Sequence, residues 1–269
     1  MLSNYLKLAL RNFSRNRLYV LLNVLGLGIG IALLVWGIQM YRYSFSFDNF
    51  QPDRAQVFRA VVTREGNDDW RGVCPLPVAQ MAQRDFASIT ESVRWDSRGC
   101  DIKGQENDPF SEQVYFTDPA FFSMFHFPLV AGSHDLSDRS TVLLTEKMAQ
   151  KYFGKEDPIG KSLLLYAGEK RSVPLIVKGV LKDIPINSSF RFDILTNLEN
   201  MKTSDTSFLQ ADDWKWFLDG VFFKIPNPAD AQHLTQAFNQ YIPQQNNHRP
   251  DWKVTGFHLM PMTTMASET

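Results

Sequence analysis

The chain has 269 residues, with 28 Lys and Arg against 29 Asp and Glu, a net charge of −1, and 44% hydrophobic residues. That balance, with no basic stripe beyond the first seventeen residues, argues against nucleic acid as a partner. With the apolar run described below set aside, roughly 225 residues remain, enough for one large or two small domains with real cores.

Residues 1–17 carry Lys7, Arg11, Arg15 and Arg17 and no acid. Leu2, Leu6, Ala9, Leu10 and Phe13 recur at helical spacing. That pattern fits a short helix lying in the headgroup layer, its cations against anionic membrane lipids. It fits equally a basic flank that does no more than fix topology. Residues 18–41 (LYVLLNVLGLGIGIALLVWGIQMY) form an uncharged run between Arg17 and Arg42. As a helix this run measures about 36 Å at ~1.5 Å per residue, more than a hydrocarbon core of ~30 Å requires.

A cleaved secretory signal would have an apolar region of roughly 7–15 residues and a small-x-small site. Here the run is longer and closes on Gln39, Met40, Tyr41, Arg42 and Tyr43, so a retained transmembrane anchor is expected. The excess of cations before the run places the N-terminus in the cytoplasm and the rest of the chain outside it. Within the run, Gly26 and Gly30 form a small-xxx-small pair that admits a second helix, and Asn23 can hydrogen-bond across such a contact.

Residues 43–53 read as the helix leaving the membrane and ending near Pro52. Strands are expected at 57–63 and 90–95 with a helix at 76–86 between them, a β-α-β unit. A second unit is expected from a strand at 220–225, a helix at 228–241 with proline in its first turn, and a strand at 252–259. Between the two lies a mixed block with strands at 112–116, 141–144 and 190–195. Asp118 is expected to cap a helix begun by Pro119, and a second helix opens at Thr145 and closes at Gly154. A hairpin is expected from 162–166 and 173–182 around the 168–171 turn. No linker or low-complexity tract separates this block, so it is expected to pack rather than swing.

Little in the chain carries bond-breaking chemistry. Gly154 to Ser162 (GKEDPIGKS) superficially suggests a phosphate-binding loop, but five residues, one of them Pro158, stand where that loop has four. The SLLLY that follows has strand character, so no helix N-terminus faces an anion. Histidines 126, 134, 233, 248 and 258 show no ligand spacing, and no G-x-S-x-G elbow occurs. Residues 183–189 (DIPINSS) read as a tight turn bonded by its own side chains. Phe121, Phe122, Phe125 and Phe127 read as core. Cys74 and Cys100 are expected as two independent buried thiols, a disulfide being the alternative. No catalytic, cofactor or metal residue is assigned.

Three segments taken together carry a family resemblance: 114–132 (VYFTDPAFFSMFHFPLVAG), 141–163 (TVLLTEKMAQKYFGKEDPIGKSL) and 177–195 (VKGVLKDIPINSSFRFDIL). They resemble the periplasmic core domain of MacB/FtsX-like ABC transporter permeases. The basic start, the first span and FDNFQPDRAQVFR (47–59) resemble the same family's beginning, while Ser189 stands where many relatives have histidine.

The resemblance implies an α+β fold: a single transmembrane helix, then a porter-like layer of two β-α-β units carrying an inserted sabre-like lobe. The implied division is 1–17 basic cytoplasmic segment, 18–41 transmembrane helix, 42–107 first porter half, 108–210 sabre-like lobe, 211–261 second porter half, and 262–269 leading toward a second membrane helix. It implies the bacterial inner membrane, a cytoplasmic ABC ATPase as partner, a second permease copy, and a periplasmic adaptor. The function implied is transmission of an ATP-driven movement to the periplasmic domain, for export or for lipoprotein or peptide handling. Ending where it does, the chain is expected to be the N-terminal part of a permease. The alternative is a single-pass anchored sensor or adaptor that binds a ligand or partner protein.

Overall fold

The computed structural model describes residues 11, 15–104, 108–166, 172–204 and 213–265. Lys7 and the apolar positions of the basic segment, the 168–171 turn and the last residues of the tail lie outside them. The chain forms two units, Met1–Phe47 and Asp48–Thr269.

In the first unit, α1 (Arg17–Ser44) is long and apolar enough to cross a membrane, and none of its residues is buried against protein. It stops at Ser44, not near Pro52. The last turn closes with Phe45 N–H donating to Tyr41 O at 3.2 Å and Ser46 N–H to Tyr43 O at 3.0 Å. Farther on, Asp48 has φ +52°, a left-handed conformation that cannot continue a right-handed helix.

In the second unit, strands β1 (Val57–Arg64), β2 (Asn67–Arg71) and β3 (Cys74–Pro75) lead into α2 (Val78–Asp85). The long β4 (Glu91–Lys103) and β5 (Phe110–Thr117) form a hairpin, followed by α3 (Phe121–Met124), β6 (Leu129–Gly132) and β7 (Thr141–Thr145). After α4 (Glu146–Phe153) come β8 (Ser162–Tyr166), β9 (Ser172–Leu181), β10 (Ile194–Asn197) and α5 (Met201–Ser204). The unit closes with β11 (Phe217–Leu218), β12 (Gly220–Lys224), α6 (Ala231–Phe238), α7 (Ile242–His248) and β13 (Val254–Pro261).

Among the described residues, eleven strands make one sheet whose main path runs β13-β1-β12-β4-β5-β10-β7-β9-β6. The two β-α-β units are present and they interleave. β12 lies between β1 and β4, antiparallel to both, and β1 lies between β12 and β13. The middle block continues the same sheet through the β4–β5 pairing, which runs from Trp95↔Thr117 to Ile102↔Phe110.

Side chains alternate across a strand, and both faces of this sheet are covered. Phe58, Ala60 and Val62 of β1, Val221 and Phe223 of β12, and Val142 and Leu144 of β7 join one core, with α2, α4 and α6 on it. Val57, Val61, Phe222 and Leu143, the alternate positions, join a second core on the opposite face. Aromatic rings fill that second core. Phe121 stacks on Trp95 at 5.2 Å, Phe190 meets Phe125 edge-on at 4.5 Å, and Phe127 meets Phe192 at 5.2 Å. Phe122 is only half-buried and stacks on His134 at 4.5 Å.

Local signals explain several boundaries. Thr145 caps α4, its Oγ1 accepting from Met148 N–H at 3.4 Å, and Gly154 ends the helix at φ +60°. Asp118 does not cap α3. Its carboxylate is taken by Arg94, whose Nε and Nη2 donate at 2.9 and 2.6 Å while its backbone N–H donates at 2.8 Å. The strand expected at 190–195 begins only at Ile194, because Phe190 and Phe192 are committed to the aromatic core before β5 and β7 come within pairing reach. The Gly154–Ser162 stretch is a helix stop and a turn, and β8, not a helix, follows it.

Candidate functional site

Four places in the chain bear on function, beginning with α1. Arg11, Arg15 and Arg17 are exposed at its N-terminal side, and Asn23, Gly26 and Gly30 are exposed along it. A Cβ added at Gly26, Gly30 or Gly37 would meet nothing within 4 Å. At 3.6 residues per turn, Asn23, Gly26, Gly30 and Gly37 fall within an arc of about 60°. Gly37 extends the expected pair by seven residues, a spacing readable in the sequence. Gly28 lies on the opposite side of the helix.

The second is the start of the external unit. Asp48 is fully buried. Its Oδ1 accepts from Ser188 Oγ at 3.2 Å and Ser189 N–H at 3.0 Å, and its own N–H donates to Asn187 O at 2.9 Å. Its Oδ2 is buried without a hydrogen bond. Gln51, also buried, reads the His126 backbone on both sides, donating to its carbonyl at 3.2 Å and accepting from its N–H at 2.7 Å. The DIPINSS turn therefore bonds to a residue 140 positions earlier as well as to itself. The turn at 183–189 was legible in the sequence, but its pairing with Asp48 was not.

The third is a cavity of about 500 Å³ between β5, α4 and the loop of residues 183–193. Tyr115, Met148, Ile184 and Phe192 give it apolar walls, and Glu112, Lys147, Asp183, Arg191 and Asp193 give it charge. Most of that charge is already engaged. Lys147 Nζ lies 3.6 Å from Asp193, whose other oxygen accepts from Thr145 Oγ1 at 2.8 Å, and Asp183 accepts from the Lys147 N–H at 3.0 Å. The lining includes no Ser, Cys, Thr or His. Such a pocket can hold a ligand.

The fourth is a buried polar cluster where β4 leaves β12. Asp96 is 2% exposed. Its carboxyl is held up to about 7, first by burial and then by the neighbouring Asp219 carboxylate, against the pull of Arg98, the Ser97 amide and Trp216. Arg98 bonds Asp96 at 3.4 Å and lies over the Trp216 ring at 4.7 Å. Asp219 accepts from Ser97 Oγ at 2.6 Å, and its carbonyl accepts from Arg59 at 2.7 Å. Nothing in the sequence brings residues 96 and 219 together; the register Gly220↔Trp95 does.

Cys74 and Cys100 are both buried and unbridged, and burial raises both thiols, Cys100 to about 11. The described residues contain no group of three or more His, Cys, Asp or Glu side chains able to hold a metal ion.

Comparison with known proteins adds a family and a fold. The family model described as MacB-like periplasmic core domain matches residues 20–241. Among solved structures, the chain is similar to a domain described as a permease protein of Porphyromonas gingivalis, with 21% identity, a TM-score of 0.59, and coverage of 78% of this chain and 92% of that one. It is similar to the periplasmic region of MacB from Actinobacillus actinomycetemcomitans, with 14% identity, a TM-score of 0.56, and coverage of 82% and 95%. It is also similar to the extracellular domain of the noncanonic ABC-type transporter YknZ from Gram-positive bacteria, with 14% identity, a TM-score of 0.53, and coverage of 76% and 99%. At these identities the likeness is one of fold. No curated protein matches the sequence.

Proposed function

The chain belongs to the family of MacB-like periplasmic core domains of ABC transporter permeases, and from that premise we propose that it is a helix-anchored lever. In this reading a cytoplasmic ABC ATPase hydrolyses ATP, α1 carries the movement across the inner membrane, and the external unit delivers it to export or to lipoprotein or peptide handling. Lys7, Arg11, Arg15 and Arg17 hold the N-terminus in the cytoplasm and rest against membrane lipids. The Asn23, Gly26, Gly30 and Gly37 face meets α1 of a second copy. Residues 42–107 and 211–261 act as the porter-like layer, 108–210 as the sabre-like lobe on which a periplasmic adaptor docks, and 262–269 lead on toward a further membrane helix.

The observation that carries the proposal is the junction itself. The matched region begins at residue 20, inside the apolar helix, and runs on to residue 241 in the external unit. A second physical point supports it. One continuous sheet with a packed core on each face moves as a body, because close-packed interiors are stiff.

The test is topology together with partnership. A cysteine introduced at the exposed Gln113 should react with a membrane-impermeant maleimide in intact spheroplasts, one introduced before Arg17 should react only after lysis, and an ABC-type ATPase should co-purify. Labelling of the two sites in the opposite order would overturn the orientation. The cavity is the observation that favours the sensor or adaptor alternative, which predicts a function retained when no ATPase is present.

A further inference from the structure

Three residues separate Ser44, the last residue of α1, from Asp48. We propose that Asp48 is a positioning residue that ties this helix end to one wall of the cavity, so that displacement of the helix is delivered to the pocket. The proposal rests on the reading that α1 moves in the membrane.

The clasp and the wall belong to the same loop. Residues 183–186 line the cavity, and Asn187, Ser188 and Ser189 hold Asp48. The turn between them is closed by Ser188 N–H donating to Pro185 O at 3.0 Å. A shift of Asp48 therefore carries Pro185 and Ile186 with it. The facing wall, Gln113 and Tyr115, belongs to β5, which is fixed by its pairing with β4. One wall is held by the sheet, and the other by Asp48 at residues 187–189, by the Lys147 N–H on Asp183 at 3.0 Å and by Arg191 donating to the Ile186 carbonyl at 3.3 Å.

The clasp is one of several anchors of this segment. The segment that leads to β1 has other anchors: Gln51 on the His126 backbone, and Asp53 paired with Lys224 at 2.8 Å. Two features of Asp48 are costly. Its backbone sits at φ +52°, and one oxygen of a fully buried carboxylate has no hydrogen bond. Strain of this kind persists where the surroundings over-determine it, and it concentrates at switch regions. Ile186, at the tip of the loop, is 72% exposed.

The experiment measures the cavity width by electron–electron resonance on the full chain in nanodiscs, with spin labels at Gln113→Cys and Ile186→Cys. A Gln113→Cys and Gln232→Cys pair serves as the reference. Both native thiols are buried, so labelling falls on the introduced ones. Asp48→Ala should broaden the Gln113–Ile186 distance distribution about twofold, as expected for a loop released from its anchor, and leave the reference unchanged. Asp48→Asn, which keeps an acceptor oxygen, should restore the narrow distribution, and Ser188→Ala should fall between.

Should Asp48→Ala fail to fold, Ser189→Pro, which deletes the amide donor, carries the same expectation. An unchanged Gln113–Ile186 distribution in a folded variant would overturn the proposal. So would equal broadening of both pairs, since that reduces Asp48 to a contact for general stability. The measurement needs neither nucleotide nor ATPase. Its failure would leave the export reading standing, and the absence of an ATPase partner would leave the clasp standing.

Discussion

Asp96 has a pH dependence whose sign can be worked out. Its folded-state carboxyl, held up to about 7 by burial and by Asp219, lies above its unfolded value, so the folded chain binds the extra proton between about pH 4 and pH 7. The stabilisation is fully present below the unfolded value and is lost as pH rises through about 7. Asp96→Asn removes this linkage. The variant should exceed the parent at pH 8 by up to about 4 kcal/mol, at ~1.4 kcal/mol per pKa unit, and match it near pH 4. Denaturant unfolding of the full chain in detergent, followed by tryptophan fluorescence across that range, checks it; parallel profiles for the two proteins would contradict it. Asp118 teaches a related lesson. Its place before a proline marked it as a helix cap, yet Arg94, brought alongside by the sheet, takes the carboxylate in a bidentate grip. A side chain's local options are legible in sequence, but its choice among them depends on which distant partner arrives.

Elements with a complete local signature were legible almost to the residue. α4 has its threonine cap, amphipathic spacing and terminal glycine, and it forms at Glu146–Phe153. The hairpin of β8 and β9 likewise forms where alternation and a turn foretold it. Elements defined by partners were less legible. β2 pairs with β1 through Val62↔Arg71 and Arg64↔Asn67, although NDDWR has none of the alternation of a strand. α1 is legible by length alone, and its glycine face leads to a prediction at this scale. Gly30→Leu fills the face where helices would approach closely, so self-association in membranes should fall. Energy transfer between fluorescently labelled copies, measured at fixed lipid-to-protein ratio, checks it. Unchanged transfer would remove that face from the assembly.

For the whole molecule, two β-α-β patterns were visible in the sequence, and their interleaving was not. Hydrophobic alternation in β12 states that a strand exists and which residues face each core, but it does not say that this strand inserts between β1 and β4. That order places Asp219 beside Asp96, so the polar cluster was illegible for the same reason. The clasp and the cavity wall also depend on contacts between distant segments. Where the chain resembled a known family, the fold class came with the resemblance, but the contacts that build these sites did not.

The central proposal is that the external unit moves as a body under ATP. Spin labels at Gln232→Cys on two copies and, in a second sample, at Gln113→Cys and Gln232→Cys of one copy, reconstituted in nanodiscs with the cytoplasmic ATPase, test it most directly. The distance between copies should shift from the nucleotide-free to the ATP-trapped state, while the Gln113–Gln232 distance within one unit stays fixed. ATP turnover with both distances unchanged would contradict the account.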